Sequence, residues 1–168
     1  MSAGRDFSRP GQRAGGHPGR VSLMLKACAQ DGRFIEQLVR HVVHQLGDVG
    51  FVERYLVVDT KPGAFLRQYA PPTPVALRNG LDRLVVAGLL DYWYEAPAAP
   101  ETARDLNLRW FACDTAATHS STGVPIAPHL HGFERAKGDY LLQADIDVLI
   151  GRRDPYHDYL SDMLFALD

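Results

Sequence analysis

Apolar residues in this chain follow two rhythms. Across 21–25 (Val-Ser-Leu-Met-Leu) and 54–59 (Arg-Tyr-Leu-Val-Val-Asp) they run almost without a break, as in strands covered on both faces of a sheet. Across 33–46 they recur at three- and four-residue spacing, through Phe34, Ile35, Leu38, Val39, Val42, Val43 and Leu46. That stripe predicts an amphipathic helix. His41 and His44 lie on it and are expected to face solvent or sit half-buried. Lys26 to Gly32 reads as a loop, and Gly47 and Gly50 end the helix. A Pro-rich loop follows over 60–74, with Arg67 inside it as a residue that could hold phosphate. Helical spacing returns over 75–87, bounded by Pro74 and Gly88. A strand is predicted over 89–94, where Tyr92, Trp93 and Tyr94 read as packing rather than as a base-stacking platform.

The second half is less regular. The Pro/Ala run 96–105 reads as an exposed linker, and 106–113, with Trp110 and Phe111, as a strand. A Thr/Ser-rich loop, 115–123, contains His119. A helix is expected over 125–137, with Ile126, Leu130, Phe133 and Ala136 on its buried face and Gly132 weakening it. A strand over 140–144 follows, then a break at 152–155 and an amphipathic helix over 156–167. Strands alternating with helices predict an α/β fold, Rossmann-like, with a mostly parallel central sheet, right-handed connections and helices on both faces. The Gly-, Arg- and Pro-rich segment 1–19, with Arg5, Arg9 and Arg13, is expected to be a disordered tail on a single domain spanning 20–168.

The chemistry concentrates in 138–151, Gly-Asp-Tyr-Leu-Leu-Gln-Ala-Asp-Ile-Asp-Val-Leu-Ile-Gly. An apolar strand runs into Asp145 and Asp147, and a second apolar run, 148–150, follows. Two carboxylates one residue apart at the carboxyl end of a buried strand are costly unless a positive charge neutralises them. A divalent cation with hard oxygen ligands is the usual neutraliser. Strand-end capping is the competing reading. Asp59 also ends a strand, where a ligand contact and a turn or cap role are about equally expected. His129 and His131, two apart on a helix, point in different directions and are expected to be unrelated to metal; a zinc site with Asp145 and Asp147 is the alternative reading.

Composition narrows the classes. The 168 residues suffice for one core, and a formal net charge of -2 gives no reason to expect nucleic acid as a partner. Cys28 and Cys113 read as free thiols, no apolar run is long enough for a membrane span, and no secretory signal is visible, so a cytoplasmic location is expected. There is no Gly-x-Gly-x-x-Gly, no P-loop and no nucleophile elbow.

Three segments together resemble family 2-type glycosyltransferases, which have the nucleotide-sugar-binding GT-A fold. They are 21–27 with the helix behind it, 54–59 ending on Asp59, and Gly132-Phe-Glu-Arg-Ala-Lys-Gly-Asp-Tyr-Leu-Leu-Gln-Ala-Asp-Ile-Asp, which is similar to the run leading into that family's Asp-x-Asp motif. The resemblance implies a nucleotide-diphosphate sugar as donor, with Ala27, Asp59 and Asp145 lining its site. It implies Mn²⁺ or Mg²⁺ as cofactor, held by Asp145 and Asp147, and transfer of a hexose to an acceptor it does not identify. Members often carry an Arg-Asn pair where this chain has His129 and Leu130. The family's catalytic base and acceptor site come from a segment later than Asp147. On that comparison the chain is expected to be a donor-binding half, a truncated product or one part of a split enzyme, with a partner chain or a second copy completing it; the alternative is a non-catalytic binding or assembly module. No catalytic base is assigned; Asp158 and Asp162 on the last helix are not favoured for that role.

Overall fold

In the computed structural model the described residues are 20–47, 50–61, 71–152, 154 and 156–167. The tail 1–19 and Arg67 lie outside them. Among the described residues four strands, β1 (Val21–Cys28), β2 (Glu53–Asp59), β3 (Tyr92–Glu95) and β4 (Tyr140–Asp145), form one sheet in the order β3-β2-β1-β4. Its strands all pair in parallel. Five described α-helices accompany it: α1 (Ile35–Leu46), α2 (Pro74–Val86), α3 (Pro100–Phe111), α4 (Ala127–Phe133) and α5 (Tyr159–Leu167). The expected α/β class, with its parallel sheet, is what the chain adopts.

Alternation along β1 divides its side chains between two layers. Leu23, Leu25 and Ala27 join Leu56 and Val58 of β2 beneath Ile35, Val39 and Val42 of α1 and Leu77, Leu81 and Leu84 of α2. Met24, Tyr55 and Val57 face the opposite way, with Phe133 of α4 packed against them. Ala103 and Leu106 of α3 then pack on Ala127 and Leu130 of α4. Helices therefore cover both faces. Gly132, read from the sequence as a weak point in its helix, makes the second layer possible. A Cβ there would strike Met24 Sδ and come within 3.2 Å of Val57 Cγ2. The Tyr55 hydroxyl donates to the Gly132 carbonyl at 2.7 Å, fixing α4 at this close approach.

The amino end of the sheet is tied by Glu53, which is 3% exposed. Ser22 Oγ and the Lys137 amide donate to Glu53 Oε1 at 2.8 and 2.7 Å, and the Tyr92 hydroxyl to Oε2 at 2.9 Å. Lys137 Nζ adds an ion pair at 3.0 Å. Burial alone would raise the carboxyl's pKa. The donors from Lys137, Ser22 and Tyr92 outweigh it and hold the group below its ordinary 4.5.

Several elements differ from expectation. β1 runs on through Lys26, Ala27 and Cys28, and a short 3₁₀ turn, Ala29–Arg33, replaces most of the predicted loop. The predicted linker and strand over 96–113 become α3, with Pro100 in its first turn and Ala103, Leu106 and Asn107 on its buried stripe. α4 is shorter than predicted, stopping at Phe133. β4 is an edge strand, half-buried rather than buried, and the apolar run after it is not a strand. Val148 and Leu149 are exposed there, while Ile150 packs on the core. The aromatics of β3 pack as expected: Tyr92 stacks on Tyr55 at 5.4 Å, and Trp93 Nε1 donates to Asp82. His41 is half-buried and His44 exposed. Among the described residues, no helix is long and apolar enough to cross a membrane.

Candidate functional site

The strand order decides where a ligand can enter. From β1 the chain moves outward to β2 and β3, then returns to place β4 on the other side of β1. At such a reversal the connections leave in opposite directions and a crevice opens beyond the carboxyl ends of the strands. Register aligns those ends: Cys28 pairs with Asp59, and Lys26 with Asp145. A cleft lies there, lined by Lys26, Ala27 and Cys28 of β1, Asp59 of β2, and Asp145, Ile146 and Asp147 at the end of β4. Asp31, His119, Gly123 and Pro125 complete it. All four residues singled out from the sequence, Ala27, Asp59, Asp145 and Asp147, thus border one space.

Their surroundings differ. Asp59 is 3% exposed. Its Oδ1 accepts from the Lys61 amide at 3.1 Å, a local turn of the kind expected for an Asp at a strand end. Its Oδ2 lies 2.9 Å from His119 Nε2. His119 is brought over from the loop before α4, where Thr118 Oγ1 meets its Nδ1 at 2.9 Å and the Thr118 carbonyl accepts from the Ile126 and Ala127 amides. The turn role expected of Asp59 is present, and its carboxylate also borders the cleft.

Asp145 has a protein partner that the sequence did not reveal. Lys26 Nζ lies 3.3 Å from its Oδ1. Gln143 Nε2 donates to the same oxygen at 3.1 Å. The premise that these carboxylates end a buried strand and need a divalent cation to neutralise them is therefore corrected on two counts. The strand is at an edge, with the Asp145 side chain 43% exposed, and Lys26 already supplies a positive charge. Asp147 sits in the turn after β4 and is exposed.

Lys26 is itself held from the other side. Its Nζ lies 3.0 Å from His129 Nε2, and His129 Nδ1 lies 2.7 Å from the Pro125 carbonyl. Only an Nδ1–H can donate to a carbonyl, so Nε2 is the acceptor for the ammonium. Burial and then the Lys26 charge push His129 below its ordinary 6.5, which keeps the ring neutral at pH 7. His131 diverges, as helical geometry requires, and meets the Tyr94 ring edge-on at 5.3 Å. Burial and the neighbouring Asp31 push the Cys28 thiol up to about 12, which disfavours its thiolate at pH 7.

The donor set suits a hard divalent ion only with outside help. Among the described residues, no three His, Cys, Asp or Glu side chains gather as a metal site. Asp145 and Asp147 offer two carboxylates beside open space, which fits an ion that keeps waters and ligand phosphate oxygens as its other partners. Lys26, His119 and His129 are the site residues that sequence reasoning missed. Asp158 caps α5, accepting from the Leu160 and Ser161 amides at 3.0 and 3.1 Å. No family model matches the chain, and neither a curated protein nor a solved structure matches it.

Proposed function

We propose that the chain binds a nucleotide-diphosphate sugar in this cleft, with Mn²⁺ or Mg²⁺ on Asp145 and Asp147, as the donor domain of a GT-A-type glycosyltransferase. One observation carries the reading. Ala27, Asp59, Asp145 and Asp147, far apart in sequence, meet at the carboxyl ends of β1, β2 and β4, where the strand order opens a crevice. In this reading Asp59 accepts from the base and the backbone around Ala27 lines the nucleotide. Asp145 and Asp147 anchor the diphosphate end. When bound there, the divalent ion would offset charge developing on the departing nucleoside diphosphate. The chain's own part is to orient the donor and keep that anion in place while an acceptor hydroxyl attacks the sugar.

Calorimetry with UDP- and GDP-sugars, with and without Mn²⁺, tests it. Metal-dependent binding that disappears in Asp147→Ala is expected, and unchanged affinity in that variant counts against the site. A hydrolysis assay on the same samples separates an enzyme from a binder.

A second reading is a non-catalytic or split module that needs a partner chain. It is favoured by the position of β4 at the edge of the described sheet and by apolar side chains that follow it in the chain, Leu149, Phe165 and Leu167, which are 93%, 77% and 65% exposed. Sedimentation of the purified chain distinguishes the two: a monomer at micromolar concentration argues against self-association through that face.

A further inference from the structure

We infer that Lys26 is a phosphate-binding residue whose charge rests on Asp145 until a diphosphate enters the cleft. The inference rests on the proposed reading in one respect, that the ligand carries a diphosphate.

Lys26 lies on the same face of β1 as Met24, at the last turn of the pleat before the cleft. Its side chain is 15% exposed, a low value for a lysine. An ammonium has three N–H donors. Among the described residues Nζ has two partners, His129 Nε2 and Asp145 Oδ1. His129 is tethered through Pro125 and offers a lone pair but no negative charge. It therefore positions the ammonium without neutralising it. Among the described residues the carboxylate in ion-pair range of Nζ is that of Asp145, at 3.3 Å and from a half-exposed side chain, while Asp31, Asp59 and Asp147 border the same cleft without pairing with it. That pair is the one that can be divided: Asp145 can turn to solvent or to a metal, while Lys26 stays on His129.

The arrangement has a consequence for metal binding. A divalent ion arriving at Asp145 by itself meets the Lys26 ammonium on the same carboxylate, and two cations on one anion repel. A diphosphate removes the conflict, because its oxygens accept both the ammonium and the ion. Metal and diphosphate therefore assist each other, and each alone binds weakly. Lys26 and Asp145 compete when the metal is absent and cooperate when it is present.

Inorganic pyrophosphate and MnCl₂ are the probes, with calorimetry and the Mn²⁺ spin-resonance signal as readouts on the purified chain. Without metal, Lys26→Met is expected to weaken pyrophosphate binding at least about tenfold. Asp145→Asn is expected to strengthen it several-fold by releasing the ammonium. With Mn²⁺ but no pyrophosphate, Lys26→Met is expected to bind the ion more tightly than the parent chain. Lys26→Arg keeps the charge and should restore most of the pyrophosphate affinity.

Pyrophosphate binding that ignores Lys26→Met, or that falls in metal-free Asp145→Asn, overturns the inference. So does an absence of pyrophosphate binding in both the parent chain and Asp145→Asn, an arm that does not depend on how well the Lys26 variants fold. The two proposals separate cleanly. Lys26-dependent pyrophosphate binding with no affinity for any nucleotide sugar keeps this inference and removes the donor reading. Nucleotide-sugar binding that needs Asp147 but not Lys26 does the reverse.

Discussion

β2 carries a buried carboxylate near each end, Glu53 and Asp59, and the two are used in opposite ways. Each is 3% exposed. Glu53 accepts from Ser22 of β1, Tyr92 of β3 and the Lys137 amide just before β4, and pairs with Lys137 Nζ. It joins the four strands and has nothing left for a ligand. Asp59 accepts from one backbone amide and meets one histidine, and it borders the cleft. The same chemistry is enclosed by four donors at the amino end and lines the cleft at the carboxyl end. Topology makes the difference: strands gather their starts into a closed knot, but a reversal of strand order leaves their ends open.

The largest effect should come from breaking the knot. Glu53→Ala leaves Ser22 Oγ, the Tyr92 hydroxyl and the Lys137 amide without their acceptor and is expected to cost about 3–5 kcal/mol. Asp59→Asn keeps the shape and an acceptor oxygen, so about 1 kcal/mol is expected there. Urea unfolding of both variants checks the contrast. Equal losses would show that the two ends are not specialised as described.

Gly132→Ala comes next. The added methyl meets Met24 Sδ and crowds Val57, so α4 must shift away from the sheet, at about 1–3 kcal/mol. Because α4 also carries His129, which holds Lys26, the same variant should weaken pyrophosphate binding. The measurement is a melt and a titration on one sample. A loss of stability with intact binding would show that α4 supports the core but not the cleft.

These variants also show what could be read in advance. The long runs of β1 and β2 and the stripe of α1 announce themselves because periodicity and burial agree, at Ile35, Val39, Val42, Val43 and Leu46, although Phe34 at its start is exposed. α3 did not. Its buried positions are Ala103, Leu106 and Asn107, of which only Leu106 is a large apolar residue, and the exposed Trp110 and Phe111 gave it a strand-like composition. The cleft was half legible. Asp59, Asp145 and Asp147 stand at strand ends, where the rule about carboxyl ends applies. Lys26 is hidden because the apolar run that marks β1 stops at Leu25. Had the strand been continued to Cys28, alternation would have set Lys26 on the Met24 face, toward α4. His119 had no local signal: its partner Asp59 is brought to it only by the fold.

A smaller effect is the pH dependence contributed by the knot. Glu53 titrates below its ordinary 4.5 in the folded chain. The unfolded chain therefore takes up the proton first as pH falls, and the folded state loses stability. The contribution is fully present above about pH 4.5 and disappears as pH drops through the folded value. Unfolding free energies between about pH 6 and about pH 3 should fall less steeply in Glu53→Gln than in the parent chain. Asp158, also held low although burial opposes it, by hydrogen bonds from Ser161 and Leu160, adds a slope that this variant leaves in place. Parallel curves would mean that the donors around Glu53 do not favour its charged form.

The smallest stability effect is expected where the functional effect should be greatest. Asp147 is exposed, sits in a turn and makes no hydrogen bond or ion pair within the described residues. Asp147→Asn should therefore leave the unfolding free energy within about 0.5 kcal/mol of the parent. If the cleft takes a metal-bound diphosphate, the same change removes one of two carboxylates from the ion's coordination and should abolish metal-dependent binding. A residue whose loss the fold does not register, but which a ligand does, is the reverse of Glu53. Urea unfolding and calorimetry on one preparation of Asp147→Asn give both numbers. A stability loss comparable to that of Glu53→Ala would place Asp147 with the structural carboxylates and leave the cleft without its second anionic ligand.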